Sequence, residues 1–305
     1  MSELTEMGED ALIERLVDLV PLAADLRARP GDDCAVIDLG KGELTLFKTD
    51  AVVSGVHFLP KSPAEAVGWK AVARVISDIA AMGGRPGHFL VTLAVPADTQ
   101  ISWLEDLYRG MGRCLREHGA VLAGGETSRV PEGSSTVISV TALGRVEPEH
   151  LVLRSTGRPG DLLLVTGRLG GSLISGRHLS FAPRLAEARW LVQKHRPSAM
   201  MDLSDGLAVD LPRLAAASGC GYAIDESALP LAAGCSVDQA LRDGEDFELL
   251  IALKPCDLSG LMQDWEHEFP QTPLSVIGEL LPPGAGQDLS GGWDHFASGL
   301  AGMPT

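Results

Sequence analysis

The residues best suited to chemistry in this chain lie in five short acidic segments, most of them beside an apolar run. These segments are GDD at 31–33, KTD at 48–50, SD at 77–78, GGET at 124–127 and DLSDG at 202–206. Carboxylates and hydroxyls gathered at the ends of elements suit Mg²⁺, which takes hard oxygen ligands and usually shares them with the phosphates of a substrate. One such segment alone is more often a turn or a helix cap. Five in one chain favour a metal site, although they identify neither the metal nor the reaction.

The charge of the chain restricts its partners. Its 305 residues include 25 Lys and Arg against 41 Asp and Glu, which gives a formal net charge of −16. A chain this acidic repels nucleic acid and anionic membranes, so we expect neither as a partner. If the protein handles phosphates, it therefore needs bound cations.

Several common motifs are missing from the sequence. It contains no GxxxxGK[ST] phosphate loop, no GxGxxG, no GxSxG, no HExxH and no Cys/His cluster, which argues against P-loop kinases, simple Rossmann dehydrogenases, α/β-hydrolases and zinc sites. The five cysteines are not spaced as CxxC and the N-terminus has no apolar leader, so we expect reduced thiols in a cytoplasmic protein. No stretch of about 20 apolar residues occurs, which predicts that nothing spans a membrane.

The elements that must position the acidic segments follow from hydrophobic periodicity. Helices are predicted over 9–20, 63–82, 100–118, 183–195, 205–217 and 257–268. Strands are predicted over 44–50, 88–95, 134–146, 161–166, 199–203, 220–225, 246–253 and 273–280. The pattern breaks near 148–160, where Pro, Gly and charges cluster, so we place a boundary between domains 1–147 and 148–305. The alternation of strands and helices predicts a layered α+β fold.

Longer segments resemble the thiamine-monophosphate kinase family, and they occur in that family's order over nearly the whole chain. They are GDDCAVI, KTDAVVSGVHF, GWKAVARVISDIAAMGGRP, GGETSR, LRSTGRPGD, MDLSDGLAVDLPRLAAASG, GEDFELL and GWDHF. The wider superfamily includes aminoimidazole ribonucleotide synthetase, selenophosphate synthetase and a hydrogenase-maturation enzyme. The combination of VxGVHF, SDIAAMG, SDGLAxDL and GED[YF]EL is specific to the kinase branch.

The resemblance implies a two-domain α+β fold like that of aminoimidazole ribonucleotide synthetase, with N-terminal sheet domains that pair in a homodimer and a C-terminal α/β domain. It implies several Mg²⁺ ions and transfer of the γ-phosphoryl group of ATP to thiamine phosphate. The implied metal ligands are Asp32, Thr49, Asp50, Asp78, Glu126, Asp202 and Asp205, with Asp50, Asp78 and Asp205 as the catalytic residues. The implied ATP contacts are Tyr108, Gly125, Glu126, Arg154 and Ser204, and the implied thiamine phosphate contacts are His57, Glu245 and Trp293.

The implied phosphoryl transfer requires few catalytic groups from the protein. The nucleophile is a phosphate oxygen that is already ionised at neutral pH, so no general base is required. The difficulty is to bring two polyanions together in line, which bridging Mg²⁺ ions relieve. Arg154 would add a fixed fork for phosphate, and Trp293 would offer its ring face to a cationic thiazolium.

Two residues depart from the family pattern and leave alternatives open. Lys48 stands where the family usually has a metal-binding hydroxyl, and Glu126 stands where it usually has the Asp of GGDT. If strand 44–50 keeps its alternation, Lys48 shares a face with Asp50 and replaces one cation; otherwise it turns to solvent. The alternative functions are a related ATP-dependent enzyme with another acceptor and a catalytically inactive paralogue that binds ligand. Purely structural roles also stay open, such as core packing for Tyr108 and Trp293.

Overall fold

The computed structural model describes residues 8–27, 30–293 and 295–296. The N-terminal half contains α1 (Glu9–Val17), β1 (Ala35–Lys41), β2 (Glu43–Val53), α2 (Ala64–Ala81), β3 (Arg85–Pro96), α3 (Ile101–Glu117), β4 (Val121–Val130) and β5 (Val137–Val146). The C-terminal half contains β6 (Leu162–Thr166), α4 (Ser172–Ser175), α5 (Leu185–Lys194), β7 (Ala199–Asp202), α6 (Leu207–Ala217), β8 (Gly221–Ile224), α7 (Val237–Arg242), β9 (Leu249–Leu253), α8 (Leu258–Glu268) and β10 (Leu274–Leu281). Single 3₁₀ turns lie at 148–150, 154–156, 177–179, 226–228 and 255–257. None of the helices in these described ranges is long and apolar enough to cross a bilayer.

The first sheet has the strand order β1-β2-β5-β3-β4, and its pairs are antiparallel except for β3 with β4. Alternate residues of β2, such as Leu44, Leu46 and Val52, are buried on the inner face of this sheet. α2 packs in the same core, between the sheet and α3, and is therefore apolar on almost every side. The two helices approach each other closely at Gly68, where an added Cβ would lie 1.9 Å from the carbonyl oxygen of Leu107.

The outer face of the first sheet carries exposed large apolar side chains. Phe47, Leu90 and Leu143, on three adjacent strands, are 44%, 47% and 44% exposed. The edge strand β4 is exposed along almost its whole length. A solvated face of an antiparallel sheet usually carries polar residues, so this face has the character of a surface that another molecule covers.

The second sheet has the strand order β7-β9-β6-β10-β8 and is antiparallel throughout. Its internal strand β9 is buried on both faces. Leu250 and Ala252 enter a core shared with α6, whereas Leu249 and Ile251 enter a second core shared with α5, α8 and the end of α2. Since α2 also packs on the first sheet, this one helix contacts both halves of the chain. The layered α+β fold predicted from sequence is confirmed.

Some predicted elements differ from the observed ones. The GGET segment, predicted as a turn, lies inside β4, where it pairs in parallel with β3. Asp50 does not end its strand, because β2 continues to Val53. The predicted helix over 9–20 ends at Val17, and the sequence pattern does not indicate α4 or α7. Glycines weaken the local preference for a strand, so only pairing with β3 makes GGET extended.

Candidate active site

Three buried carboxylates from three elements meet at the junction of the two halves. Asp33 precedes β1, Asp78 lies in the last turn of α2, and Asp202 ends β7. The three side chains are buried, and one ligand oxygen from each lies within 4.8 Å of the others. We call these residues the carboxylate cluster. A donor set made only of oxygens suits Mg²⁺.

Burial makes the carboxylate cluster unfavourable unless a cation is present. It raises the pKa of Asp78 well above its usual range, and burial and then the charge of Asp33 raise the pKa of Asp202 to about 7. The Ser77 hydroxyl donates a hydrogen bond to Asp202 Oδ2 at 2.6 Å, which favours the ionised form of Asp202. A divalent cation would stabilise all three ionised carboxylates, so these residues fit the metal expected from the sequence.

Lys48 and Asp50 of β2 both face α2, as their spacing predicts. Lys48 Nζ lies 2.8 Å from Asp78 Oδ1, so the alternative in which Lys48 turns to solvent is wrong. Arg74 of α2 forms an ion pair with Asp50, with Nε 2.9 Å from Oδ2. Burial alone would lower the pKa of Lys48, but Asp78 and Asp50 outweigh burial and raise it. Burial alone would raise the pKa of Asp50, but Arg74 and Lys48 outweigh burial and lower it.

Arg154 folds back from the segment between the two halves onto the acidic loop that precedes β1. Its backbone N–H donates to Asp32 Oδ1 at 2.9 Å, and its guanidinium forms an ion pair with Asp33. Burial raises the pKa of Asp32 to about 6. The carboxylate cluster therefore contains Asp33 and not Asp32, and the role of Asp32 as a metal ligand stays a prediction. The two neighbours differ because Asp32 is held by the backbone of Arg154 while Asp33 enters the core.

A pocket opens beside the carboxylate cluster and measures about 560 Å³, counting the open space at its mouth. Its lining includes His57, Arg74, Ser204, Asp205, Glu245 and Trp293, and it therefore brings together all three residues expected to bind thiamine phosphate. Arg74 connects the pocket to the cluster, since it lines the pocket and pairs with Asp50. The rings of Trp293 and His295 meet at right angles, with Nε1 of Trp293 3.4 Å from Nδ1 of His295.

His57 is a neutral side chain at the wall of this pocket. Its Nδ1 accepts a hydrogen bond from the backbone N–H of Val53 at 3.1 Å, which leaves the proton on Nε2. Burial and then the charges of Arg74 and Lys70 lower the pKa of His57 to about 3. The imidazole can therefore donate one hydrogen bond from Nε2 but carries no charge at neutral pH.

Glu245 is held in place by a lysine that the sequence analysis does not single out. Lys70 Nζ lies 2.6 Å from Glu245 Oε2 and donates to the carbonyl oxygen of His57 at 2.5 Å. The Lys70 side chain is fully buried, and burial lowers its pKa to about 8 against the opposing effect of Glu245. Glu245 and Phe247 have positive φ values of 54° and 51°, a strained backbone of the kind that clusters at functional sites.

Lys70 and Arg74, which the sequence analysis does not name as site residues, are part of a recognisable pattern in α2. Lys70, Arg74 and Asp78 follow one another at intervals of four in an otherwise apolar helix, so all three lie on one face of α2. Charged residues are rarely buried unless they are paired, and such a charged stripe in a buried helix therefore indicates a functional surface. No comparable pattern identified Asp33, because Asp32 beside it is also an aspartate and the sequence gives no reason to prefer one of the two.

The loop before α6 places Ser204 and Asp205 at the pocket. The backbone N–H groups of both residues donate to Asp210 Oδ2 at 3.0 Å, and Arg213 pairs with the Asp205 side chain. Neither Ser204 nor Asp205 caps α6, since the N-cap is Gly206 with no side-chain hydrogen bond. Asp205 therefore lies at the pocket and not among the three residues of the carboxylate cluster.

Four residues expected at the site lie elsewhere in the single chain. Thr49 points to the outer face of the first sheet, where its Oγ1 is 3.0 Å from Thr141 Oγ1, because side chains alternate along β2. Tyr108 is 38% exposed on α3, which argues against core packing. Gly125 and Glu126 lie on the edge strand β4. The register places Gly125 three strands away from Asp50, a distance of about 14 Å at the usual spacing of strands.

Two family descriptions match most of the chain. Residues 31–146 match "AIR synthase related protein, N-terminal domain", and residues 158–287 match "AIR synthase related protein, C-terminal domain". A protein of Synechococcus elongatus named thiamine-monophosphate kinase is 35% identical over an alignment that covers 90% of this chain and 87% of that protein. The thiamine-monophosphate kinase of Escherichia coli K12 is 31% identical over 95% of this chain and 99% of its own length.

Solved structures agree with the sequence relatives. "AaThiL complexed with AMPPCP and TMP" superposes with a TM-score of 0.82 at 30% identity, covering 97% of this chain and 99% of that one. The thiamine monophosphate kinase of Aquifex aeolicus superposes with a TM-score of 0.76 at 28% identity, covering 95% and 99% of the two chains. The Escherichia coli hydrogenase maturation protein HypE, at 22% identity and a TM-score of 0.68, shares the fold alone.

Proposed function

This chain belongs to the thiamine-monophosphate kinase family, and from that premise we propose that it transfers the γ-phosphoryl group of ATP to thiamine phosphate, forming thiamine diphosphate and ADP. The observation that carries the proposal is the carboxylate cluster beside a pocket lined by His57, Arg74 and Trp293. Phosphoryl transfer between two polyanions depends on positioning and on neutralised charge, and this site offers both.

The metal part of the proposal assigns Mg²⁺ to Asp33, Asp78 and Asp202. When bound, Mg²⁺ supplies the positive charge that draws the phosphates together and stabilises the charge of the transition state. The chain's own residues orient the groups: Arg154 holds Asp33, Ser77 holds Asp202, and Arg74 presents a guanidinium between the cluster and the pocket. No side chain needs to act as a general base, because the acceptor phosphate is already ionised.

The acceptor part of the proposal assigns thiamine phosphate to the pocket. Trp293 offers an aromatic face to the cationic thiazolium, a contact of about 0.5–2 kcal/mol. His57 is neutral and can donate from Nε2, and Glu245 is held by Lys70 so that its carboxylate stays at the pocket wall. Arg74 is positioned to meet an anionic phosphate at the end of the pocket nearer the cluster.

The nucleotide part of the proposal requires a second copy of the chain. Tyr108, Gly125 and Glu126 belong by resemblance to the ATP site, yet they lie on a surface that a single chain leaves exposed. The exposed apolar face that carries Leu90 and Leu143 offers a surface for pairing of domain 1–147 with the same domain of a second chain. We therefore propose a homodimer, in which domain 148–305 completes each site through Ser204, Asp205 and Trp293.

The homodimer is tested by sedimentation. The wild-type chain is expected to sediment at about twice its 32.1 kDa mass, and Leu90→Glu is expected to shift it towards the single chain, because a buried carboxylate opposes pairing. Ile174→Glu changes an exposed apolar residue in the other domain and should leave the mass unchanged. A wild-type chain that sediments at 32.1 kDa at micromolar concentration would contradict the homodimer.

A cytoplasmic location is also part of the proposal. All five cysteines carry free thiols, and free thiols persist in reducing compartments. Burial raises the pKa of the Cys34 thiol well above its usual range, which keeps this thiol protonated and unreactive. Fractionation of cells that express the full chain tests the location.

The kinase activity is tested by coupled ADP release with thiamine phosphate, with thiamine and without an acceptor. Release that requires thiamine phosphate is the expected result, and Asp202→Asn should abolish it while the exposed control Asp98→Asn should not. Release that thiamine phosphate does not stimulate would favour a different acceptor. Binding of thiamine phosphate without ADP release would favour an inactive paralogue. The ion pair between Lys48 and Asp78 is the observation that favours the alternative of a different acceptor, because it places a positive charge beside one of the expected metal ligands.

A further inference from the structure

Four charged side chains form a crossed arrangement between β2 and α2. Lys48 and Asp50 lie two residues apart on one face of β2, and Arg74 and Asp78 lie one turn apart on the facing side of α2. The lysine of the strand pairs with the aspartate of the helix at 2.8 Å, and the arginine of the helix pairs with the aspartate of the strand at 2.9 Å. We call these four residues the charge square.

The charge square is largely buried and has no net charge. The exposed fractions of its side chains are 24% for Lys48, 10% for Asp78, 12% for Arg74 and 24% for Asp50. Each carboxylate has a cation within 3 Å, so the two positive charges balance the two negative charges between the strand and the helix. Two buried carboxylates require about two positive charges, which a divalent ion or two basic side chains can supply.

We propose that Lys48 and Arg74 are fixed cations that stand in place of a divalent metal between Asp50 and Asp78. An ammonium group is a donor with no lone pair, so it cannot be a ligand while it is charged, and it repels a metal that approaches the same carboxylate edge. Metal binding is then confined to the side where Asp78 faces Asp33 and Asp202. This inference deepens the proposed function, on which it rests for the purpose of the metal.

The consequence is that two of the carboxylates near the pocket, Asp50 and Asp78, are neutralised before any metal binds. Lys48 and Arg74 remain in place at any free metal concentration, so the neutralisation of Asp50 and Asp78 does not depend on Mg²⁺. The carboxylate cluster keeps its three oxygens for one ion. Arg74 also lines the pocket, so one member of the charge square faces the region where the acceptor phosphate is expected.

The proposal is tested by counting bound Mn²⁺, a paramagnetic substitute for Mg²⁺, by electron paramagnetic resonance on the full chain without nucleotide. Lys48→Thr removes the ammonium and supplies a hydroxyl oxygen, so it is expected to gain about one bound Mn²⁺ per chain relative to the wild type. Lys48→Arg keeps the positive charge and is expected to match the wild-type count. Lys61→Thr makes the same change at an exposed lysine and serves as the matched control.

Thermal unfolding provides a second readout in the same samples. In metal-free buffer, Lys48→Thr is expected to melt a few degrees below the wild type, because Asp50 and Asp78 lose one neutralising charge, and Mg²⁺ should restore most of the difference. Equal Mn²⁺ counts in the wild type and in folded Lys48→Thr would overturn the proposal. Neither measurement depends on turnover, so a failure to phosphorylate thiamine phosphate would contradict the proposed function and leave the metal count to decide this inference.

Discussion

The ion pair between Lys70 and Glu245 allows a quantitative test of how the two halves of the chain are held at the site. Lys70 comes from α2 and Glu245 from the strained loop before β9, and their charged atoms are 2.6 Å apart. The lysine side chain is fully buried and has one further acceptor, the carbonyl oxygen of His57. We predict that Glu245→Gln is strongly destabilising, because it leaves a buried ammonium without a counter-charge.

The expected loss of stability in Glu245→Gln follows from the burial of Lys70. Removing one member of a buried ion pair costs about 3–5 kcal/mol in the free energy of unfolding, whereas replacing both members with neutral residues costs much less. Lys70→Met alone should be milder, because the Glu245 carboxylate is 16% exposed and can be hydrated. The double variant Glu245→Gln with Lys70→Met should therefore recover most of the stability that Glu245→Gln loses.

The loss of stability caused by Glu245→Gln should also depend on pH. Burial lowers the pKa of Lys70 to about 8, so in the folded wild type the lysine is about half deprotonated at that pH and mostly neutral above it. A lysine whose pKa is lowered by folding disfavours the folded state at low pH, and the cost disappears as pH rises from about 8 towards the unfolded value. The difference in unfolding free energy between the wild type and Glu245→Gln should thus be largest near pH 7 and smaller near pH 9.

Urea unfolding of the wild type, both single variants and the double variant at pH 7 and pH 9 measures these quantities. The analysis as a double-mutant cycle isolates the energy of the pair from other effects of each substitution. A penalty below about 1 kcal/mol for Glu245→Gln, or strictly additive single effects, would refute the reasoning.

Three further predictions concern the residues of the site. Asp78→Asn should lower turnover about 100-fold or more, measured by ADP release, because it removes a cluster carboxylate, and retained turnover would exclude Asp78 from the site. Trp293→Ala should raise the KM for thiamine phosphate about 5- to 30-fold and leave the KM for ATP unchanged; equal effects on both would indicate a folding role. The ring of His57, whose pKa is lowered to about 3, should show no inflection between pH 5 and 8 in a nuclear magnetic resonance titration. Because the unfolded chain binds that proton near pH 6.5, this histidine should reduce stability as pH falls below 6.5.

The sequence alone was sufficient for the family and the layered α+β fold, and it named many of the residues that the structure brings together at the pocket and the cluster. These properties depend on local patterns: the acidic segments, the alternation of β2 through Lys48 and Asp50, and the order of the motifs along the chain. Alternation with a period of two is a property of any strand, which is why the shared face of Lys48 and Asp50 could be predicted before the fold was known. The same rule excludes Thr49 from that face.

Only the tertiary structure decided which side chains meet. It selected Asp33 over Asp32 for the carboxylate cluster and paired Lys70 with a residue 175 positions away, neither of which local periodicity can express. It also made GGET part of a strand three strands from Asp50, because pairing with β3 outweighs the weak strand preference of glycine. Contacts of this kind depend on how a strand and a helix pack against each other from distant parts of the chain, and that geometry is a property of the whole fold.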